Sequence, residues 1–462
     1  MIPLTRHAGR RIAVFGLARS GLAAAQALAA GGAQVLAWDD KAERRAALPA
    51  GQLADPAALD WRTVELLVLS PGVPLTHPEP HPVVRRARAA GVPVVGDIEL
   101  LLAAVAGARI VGVTGTNGKS TTTALIGHLL KSAGRACEVG GNIGTPALAL
   151  EPLGAEGIYV LELSSYQIDL TPSLHCDVAV LLNITPDHLD RHGDMTNYTA
   201  IKSRIFAGQA ANDCAVIGID DAPCQSIAAR LERQGRSRLR KVTVGRRATD
   251  AVSVLDGLLH EPDEEGPALD LKRYRTLPGA HNWQNAAAAY AACRALGLSA
   301  AEIDAGMASF PGLAHRMEQV AEVAGIAFVN DSKATNADAA ARALACYGDI
   351  YWIAGGVPKA GGIERLRPFF PRLRKAFLIG AAAEEFARTL KGAAEYTISG
   401  SLERAMEEAY AAARREQRPG AVVLLSPAAA SFDQFADYEA RGRAFREQAR
   451  RIVARAGAEA AT

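Results

Sequence analysis

Gly112-Val113-Thr114-Gly115-Thr116-Asn117-Gly118-Lys119-Ser120-Thr121 lies between an apolar run, Ile110 to Val113, and a segment whose Leu125, Ile126, Leu129 and Leu130 recur at helical spacing. Strand, glycine-rich turn and helix form a setting in which backbone N–H groups close around a phosphate at a helix N-terminus. Lys119 adds a full positive charge there, and Ser120 or Thr121 brings a hydroxyl within reach of Mg²⁺. The spacing departs from G-x-x-x-x-G-K-S/T, because Val113 stands where the first glycine belongs and Gly112 sits one residue earlier; T-G-T-N-G-K-S-T describes it better. A plain structural turn with a surface lysine does not account for Gly-Lys-Ser in this context, so the loop favours ATP or GTP.

Outward from the loop, short runs rich in Val, Ile and Leu alternate with Ala-rich helical segments along the whole chain, the pattern of parallel sheets with helical crossovers. Strands are predicted upstream at Arg11–Phe15, Gln34–Trp38, Leu66–Leu69 and Val92–Val95, with a helix over 21–30. Downstream, strands at Ile158–Leu163 and Val178–Asn183 continue the loop's own unit. A polar stretch near 245–270 reads as irregular or edge β, and a helix over Asn285–Leu296 closes the unit. Strand signals resume at Ile326–Val329, Ile350–Ile353, Ala376–Ile379 and Val422–Leu425. The expected fold class is α/β in three domains, over residues 1–97, 98–312 and 313–462, a division that 462 residues comfortably allow.

Composition narrows the function. With 49% hydrophobic and 22% charged residues the chain is globular, neither disordered nor a membrane bundle. Lys plus Arg number 51 against 49 acids, so no global field exists to hold nucleic acid or an anionic membrane, and phosphate binding must be local. Six cysteines without a C-x-x-C pair read as reduced thiols. No signal peptide or membrane span is visible, and the expected location is the cytoplasm.

Several other strand ends carry chemistry. Gly16-Leu17-Ala18-Arg19-Ser20-Gly21, with Asp39 ending the next strand, imitates a dinucleotide turn, but Ala18 replaces the glycine that admits a pyrophosphate; this weakens NAD in favour of another diphosphate or a structural use. Ser70-Pro71-Gly72 ends a strand with a hydroxyl and free backbone donors. Glu162 interrupts an apolar strand, and with Ser120 or Thr121 would suit Mg²⁺ beside ATP. His188 and His192 could suggest zinc, but no Cys or third His lies nearby. Lys202 sits on a helix among Tyr198, Ile201, Ile205 and Phe206, where its stem covers an apolar stripe and spacing favours an ammonium reaching solvent. Asn330-Asp331-Ser332-Lys333-Ala334-Thr335-Asn336, Gly355-Gly356 with Lys359, and Ser426 to Ser431 are further ligand-type loops.

T-G-T-N-G-K-S-T, L-E-L-S-S-Y-Q, N-D-S-K-A-T-N and S-P-A-A-A-S-F-D-Q-F occur in that order, and together the chain resembles the Mur ligases over essentially its whole length. Ser70-Pro71-Gly72, Gly96-Asp97-Ile98-Glu99-Leu100 and the N-D-S-K-A-T-N segment are similar to the glutamate-adding branch. The resemblance implies an N-terminal Rossmann-like domain for the UDP substrate, a central P-loop-type ATPase domain and a C-terminal Rossmann-like domain for the amino acid. It also implies ATP-dependent addition of D-glutamate to UDP-N-acetylmuramoyl-L-alanine, a step in cytoplasmic peptidoglycan precursor synthesis, by a monomer.

Residue by residue, the resemblance places Gly115, Thr116, Asn117, Gly118, Lys119, Ser120, Thr121, Asn282, Asn285, Arg316 and Asp331 around ATP. It places Arg19, Ser20, Asp39, Asp40, Lys41 and Ser70 on the UDP moiety, with Asn142 and His188 along the muramoyl-alanine path. Two Mg²⁺ ions would be held by Ser120, Thr121, Glu162, His188 and Lys202, the last as a carbamate, which sets aside the solvent-reaching lysine. Lys333, Thr335, Lys359, Ser431 and Tyr438 would surround the glutamate; Tyr438 stands in place of a phenylalanine, and the loop before Lys359 lacks the usual Asp. Two rival readings remain distinct by experiment: an NAD-dependent oxidoreductase needs no ATP, and a non-catalytic nucleotide switch binds ATP without substrate-dependent phosphate release.

Overall fold

The computed structural model describes residues 1–262, 264–359 and 361–460, the last three by backbone alone. They group into two compact units, residues 1–274 with 282–310, and residues 275–281 with 311–462. The first unit carries two sheets and the second carries one.

In the first sheet, β1 (Arg11–Phe15), β2 (Gln34–Trp38), β3 (Leu66–Leu69) and β4 (Val94–Val95) run parallel in the order β2-β1-β3-β4. The nearly unbroken apolar runs of β1 and β3 are what a parallel sheet covered on both faces requires. The strand order reverses at β1, which opens a crevice at its C-terminal end, where open α/β sheets bind ligands.

The second sheet holds β5 (Arg109–Thr114), β6 (Cys137–Gly141), β7 (Ile158–Glu162), β8 (Val178–Leu181), β9 (Cys214–Gly218), β10 (Arg238–Val244), β11 (Ala251–Leu255), β12 (Leu258–His260) and β13 (Leu269–Asp270). Their order is β13-β12-β11-β10-β9-β8-β5-β7-β6, parallel except for the antiparallel pairs β11–β12 and β12–β13. The polar stretch near 245–270 is therefore edge β, short strands closing one side of the sheet. Here the order reverses at β5, so the loop after β5 lies between the ends of β7 and β8.

The second unit's sheet comprises β14 (Glu318–Val323), β15 (Ile326–Asn330), β16 (Ile350–Gly355), β17 (Leu373–Ile379), β18 (Tyr396–Gly400) and β19 (Val422–Leu425). The order is β14-β15-β19-β16-β17-β18, with only β14 antiparallel to its neighbour.

The helix expected from 285 spans Ala280–Ala295, so Asn282 and Asn285 both lie within it. Its Ala286 to Ala292 segment is buried all round, as a helix apolar on every face should be. All six cysteines are free thiols. Among the described residues no helix is long and apolar enough to cross a membrane.

Candidate functional site

At the end of β1 a cavity of about 580 Å³ is bordered by Arg19, Ser20, Asp39, Asp40, Lys41, Ser70 and Asn142, together with Gln167; His188 does not border it. The glycine turn is obligatory in shape. Gly16 sits at φ +88° with a Cβ position only 2.7 Å from Ser70 Cβ, and a Cβ on Gly21 would collide with Gly16 O. Ser70 Oγ donates to Gly16 O at 2.6 Å, tying the second expected loop to the first. Asp39 accepts from Leu17 N at 2.6 Å, Lys41 N at 2.9 Å and Arg44 at 3.3 Å. Burial alone would raise its pKa, but these donors outweigh it and hold the carboxyl below its ordinary value. Ala18, in place of a glycine, faces the cavity.

The phosphate loop closes the end of β5. Gly118 caps helix Lys119–Ser132 in the left-handed region at φ +86°, and a Cβ there would strike Asn285 Oδ1, so Asn285 stands directly beside the loop. Asn285 Nδ2 donates to Asn282 Oδ1 at 3.2 Å. Asn183, just beyond β8, brackets Asn117 with two hydrogen bonds, at 2.9 and 3.2 Å, and accepts no role in the sequence reading. Lys119 Nζ donates to Gly115 O at 3.0 Å and Thr116 O at 2.9 Å. Thr116 Oγ1 lies 3.2 Å from the Tyr198 hydroxyl, and Ser120 and Thr121 are buried in the first helical turn.

Lys202 corrects the spacing argument: its side chain is 1% exposed and does not reach solvent. The apolar stripe on its helix, Met195–Ser203, packs inward, and the lysine goes with it. Nζ donates to Gly115 O at 2.9 Å and lies 4.9 Å from the centre of the Tyr198 ring. Burial, reinforced by the nearby Lys119 charge, pushes its pKa down to about 7.

Glu162, at the end of β7, is 2% exposed. Its Oε1 accepts from Asn142 Nδ2 at 2.6 Å, whereas Oε2 is buried with no protein partner. An orphaned, buried carboxylate oxygen is what a cation would satisfy. Among the described residues no three His, Cys, Asp or Glu converge on a metal position. His192 is buried with Nε2 2.8 Å from Ser165 Oγ, and burial together with surrounding positive charge lowers its pKa to about 4. His188 is half exposed, 3.4 Å from Asp187, and caps helix Leu189–His192 at φ +52°.

In the second unit, Asp331 follows β15 and accepts from Ser426 Oγ at 2.8 Å and Met317 N at 3.2 Å; burial pushes its pKa up to about 7. Arg316 keeps a buried Nε without a hydrogen-bond partner. Lys333 Nζ lies 5.7 Å from the centre of the Tyr438 ring, and Ser332 Oγ donates to Tyr438 O at 2.8 Å. Thr335 N donates to Lys333 O at 2.8 Å, and Ser431 is buried in the loop after β19. Val357 and Ala430, which form an isolated antiparallel bridge, stand respectively two residues before Lys359 and one residue before Ser431. Arg441, unnoticed in the sequence, is 1% exposed and binds Ser332, Ala429 and Gly355 together through its guanidinium.

Two other residues were given no site role from the sequence, Asp97 although it lies in the quoted Gly96–Leu100 segment, and Arg191. Asp97 opens helix Asp97–Ala104 almost fully buried, with the Ser20 and Gln167 side chains close to its oxygens, neither in well-formed hydrogen-bond geometry. Burial pushes its carboxyl up to about 6. Arg191, next to His192, reaches back to the loop after β3. The signal for Asp97 was an acid interrupting an apolar segment, the same signal that exposed Glu162.

The sequence has matches among known proteins. Residues 113–293 match the Mur ligase middle domain, and residues 315–429 the Mur ligase glutamate ligase domain. A UDP-N-acetylmuramoylalanine--D-glutamate ligase of Caulobacter vibrioides is 54% identical, covering 99% of both chains. One of the same name from Rhodospirillum rubrum is 53% identical, covering 97% of this chain and 96% of its own. Among solved structures, UDP-N-acetylmuramate-alanine ligase from Thermotoga maritima shares the fold at TM-score 0.58 and 18% identity, over 96% of this chain and 99% of that one. By this likeness the chain belongs to the Mur ligase family, among its UDP-N-acetylmuramoylalanine--D-glutamate ligases.

Proposed function

We infer that this chain is an ATP-dependent ligase that joins D-glutamate to the alanyl carboxylate of UDP-N-acetylmuramoyl-L-alanine, in peptidoglycan precursor synthesis. The observation that carries the reading is the phosphate loop 115–121 with the buried Lys202 donating into its backbone at Gly115 O. We propose that residues 1–97 hold the UDP substrate, 98–312 hold ATP and 313–462 hold the amino acid, in the cytoplasm.

A carboxylate is anionic and lacks a leaving group, so an amine does not attack it directly. The alanyl carboxylate oxygen attacks the γ-phosphorus of ATP, ADP leaves, and an acyl phosphate forms. The glutamate amine, having lost a proton, then attacks the acyl carbon; the tetrahedral intermediate expels phosphate and leaves an amide. Gly115 to Thr121 would cradle the phosphates, with Lys119 turning from the loop carbonyls toward the γ-phosphoryl and Asn282, Asn285, Arg316 and Asp331 around the nucleotide. Arg19, Ser20, Asp39, Asp40, Lys41 and Ser70 would take the UDP moiety, Asn142 and His188 the muramoyl-alanine arm, and Lys333, Thr335, Lys359, Ser431 and Tyr438 the glutamate.

The orphaned Oε2 of Glu162 and the hydroxyls of Ser120 and Thr121 fit Mg²⁺, which supplies charge neutralisation to the transferring phosphoryl group. Lys202 would hold a second ion, with His188, after its neutral amine adds to CO₂ and releases a proton to become a carbamate. The depressed pKa supports this, since only the neutral amine reacts. The reading is tested by phosphate release with ATP, Mg²⁺, UDP-N-acetylmuramoyl-L-alanine and D-glutamate against single omissions and L-glutamate. Release that requires both substrates and the D-isomer is expected; ATP binding with no release under any combination would sink it.

A further inference from the structure

We propose that Arg191 is a positioning residue that couples the loop bordering the 580 Å³ cavity to the helical turn presenting His188, so that occupancy of the cavity sets the placement of that histidine. The proposal rests on the functional reading above, in which the cavity takes the UDP substrate.

The turn Leu189–His192 has four residues, too few to hold a helical shape by its own hydrogen bonds. His188, which caps it, adopts φ +52°, a left-handed conformation uncommon in a non-glycine residue and helped by constraint from its surroundings. Arg191 provides such a constraint. Its Nη1 donates to Gly72 O at 3.0 Å, and its Nη2 donates to Val73 O at 3.0 Å and to Pro71 O at 3.5 Å. Pro71, Gly72 and Val73 all border the cavity. The preceding residue, Ser70, is locked to the glycine turn through Gly16 O.

On its other side the guanidinium lies over the Tyr166 ring, 4.7 Å from its centre. The Tyr166 ring is 5.2 Å from that of His188 and stacks on that of His192 at 5.2 Å and 21°. His192 is in turn fixed by Ser165. Among the described residues Arg191 forms no ion pair within 4.0 Å; each of its hydrogen bonds goes to a backbone carbonyl of one loop 118 to 120 residues away. A solvated surface arginine has no reason to gather three carbonyls of a ligand-bordering loop. A planar guanidinium has the fixed fork of donors to do so, whereas a lysine ammonium is a point charge on a flexible stem.

A substrate that presses on residues 70–73 therefore moves, or is resisted by, the turn that carries His188. The test is steady-state phosphate release by the full chain, with the UDP substrate and ATP varied separately, comparing wild type, Arg191→Met and Arg191→Lys. For Arg191→Met a rise of about tenfold or more in KM for the UDP substrate with a fall of about tenfold in kcat is expected, while KM for ATP stays within about twofold. Arg191→Lys should fall between the two. Values for Arg191→Met within about twofold of wild type, or a KM for ATP rising in parallel as in general loosening of the fold, would overturn the coupling. If Arg191→Met does not fold, Arg191→Lys decides alone, and an unaltered KM for the UDP substrate overturns it. Absence of release by wild type overturns the functional reading and the coupling with it; release by wild type with unaltered variants overturns the coupling only.

Discussion

Replacing Lys202 by alanine removes a buried lysine beside the phosphate loop, and the structure gives the scale of what is lost. With a pKa near 7, set first by burial and then by the Lys119 charge, about three quarters of the amine is neutral at pH 7.5, against roughly one part in a thousand for an ordinary lysine. The folded chain thus raises the CO₂-reactive form several hundredfold. A charged group positioned against a transferring phosphoryl is worth roughly 10²–10³ in kcat, so Lys202→Ala should lose about that much in phosphate release. Formate or acetate at millimolar levels, entering the space vacated by the side chain, should restore part of it by supplying a carboxylate. Wild-type activity should also fall when bicarbonate and CO₂ are stripped from the buffer and return on their addition. The same shift has a sign in stability: between pH 7 and 10.5 the unfolded chain keeps a proton that the folded chain has lost, so Lys202 makes stability rise with pH in that window, by up to about 1.4 kcal/mol per pH unit. Lys202→Met should lack this slope. Activity of Lys202→Ala within threefold of wild type would refute the reasoning, as would a deep loss that no short carboxylate relieves in a protein indifferent to CO₂.

Three further perturbations probe other parts of the account. Gly118→Ala places a methyl group against Asn285 Oδ1 at φ +86°, and is expected to weaken ATP binding by about tenfold or more and cost about 1–3 kcal/mol of stability, read by calorimetric titration and thermal melting. Glu162→Gln keeps the contact to Asn142 but removes the charge from the orphaned oxygen, so the Mg²⁺ concentration for half-maximal phosphate release should rise about tenfold; an unchanged Mg²⁺ curve would remove Glu162 from the metal site. Asp97 is the opposite case to Lys202. Its folded pKa, raised by burial to about 6, makes the carboxyl's contribution complete below pH 3.8 and lost as pH rises through 6, so Asp97→Asn should raise Tm at pH 8 relative to wild type, by at most about 3 kcal/mol in free energy, and not at pH 3.5.

What the sequence disclosed, and what it hid, follow from where each partner lies along the chain. The strand, glycine turn and helix around residues 115–121 were legible because the glycines, lysine and hydroxyls stand adjacent in the sequence, and because the β/α rhythm announces parallel sheets. Glu162 was legible as a charge inside an apolar strand. The burial of Lys202 was not, since Gly115, whose carbonyl accepts its hydrogen bond, lies 87 residues earlier. Spacing on the helix shows an apolar stripe but not whether the neighbouring wall leaves an exit to water. Arg191 and Arg441 were invisible for a related reason: their acceptors are mostly backbone carbonyls, which every residue has and no residue type marks. β6 was missed because Gly140 and Gly141 interrupt its apolar run, although both are buried and a Cβ on Gly140 would meet Thr145 O. β12 and β13, at three and two residues, are too short for periodicity to register.

The central claim is that the alanyl carboxylate is activated by phosphoryl transfer at this loop. It is tested most directly by supplying UDP-N-acetylmuramoyl-L-alanine labelled with ¹⁸O in that carboxylate, together with ATP, Mg²⁺ and D-glutamate, and weighing the phosphate released. An acyl phosphate requires one labelled oxygen to pass from the substrate into each inorganic phosphate formed. Unlabelled phosphate alongside amide product, or label recovered in AMP, would contradict it.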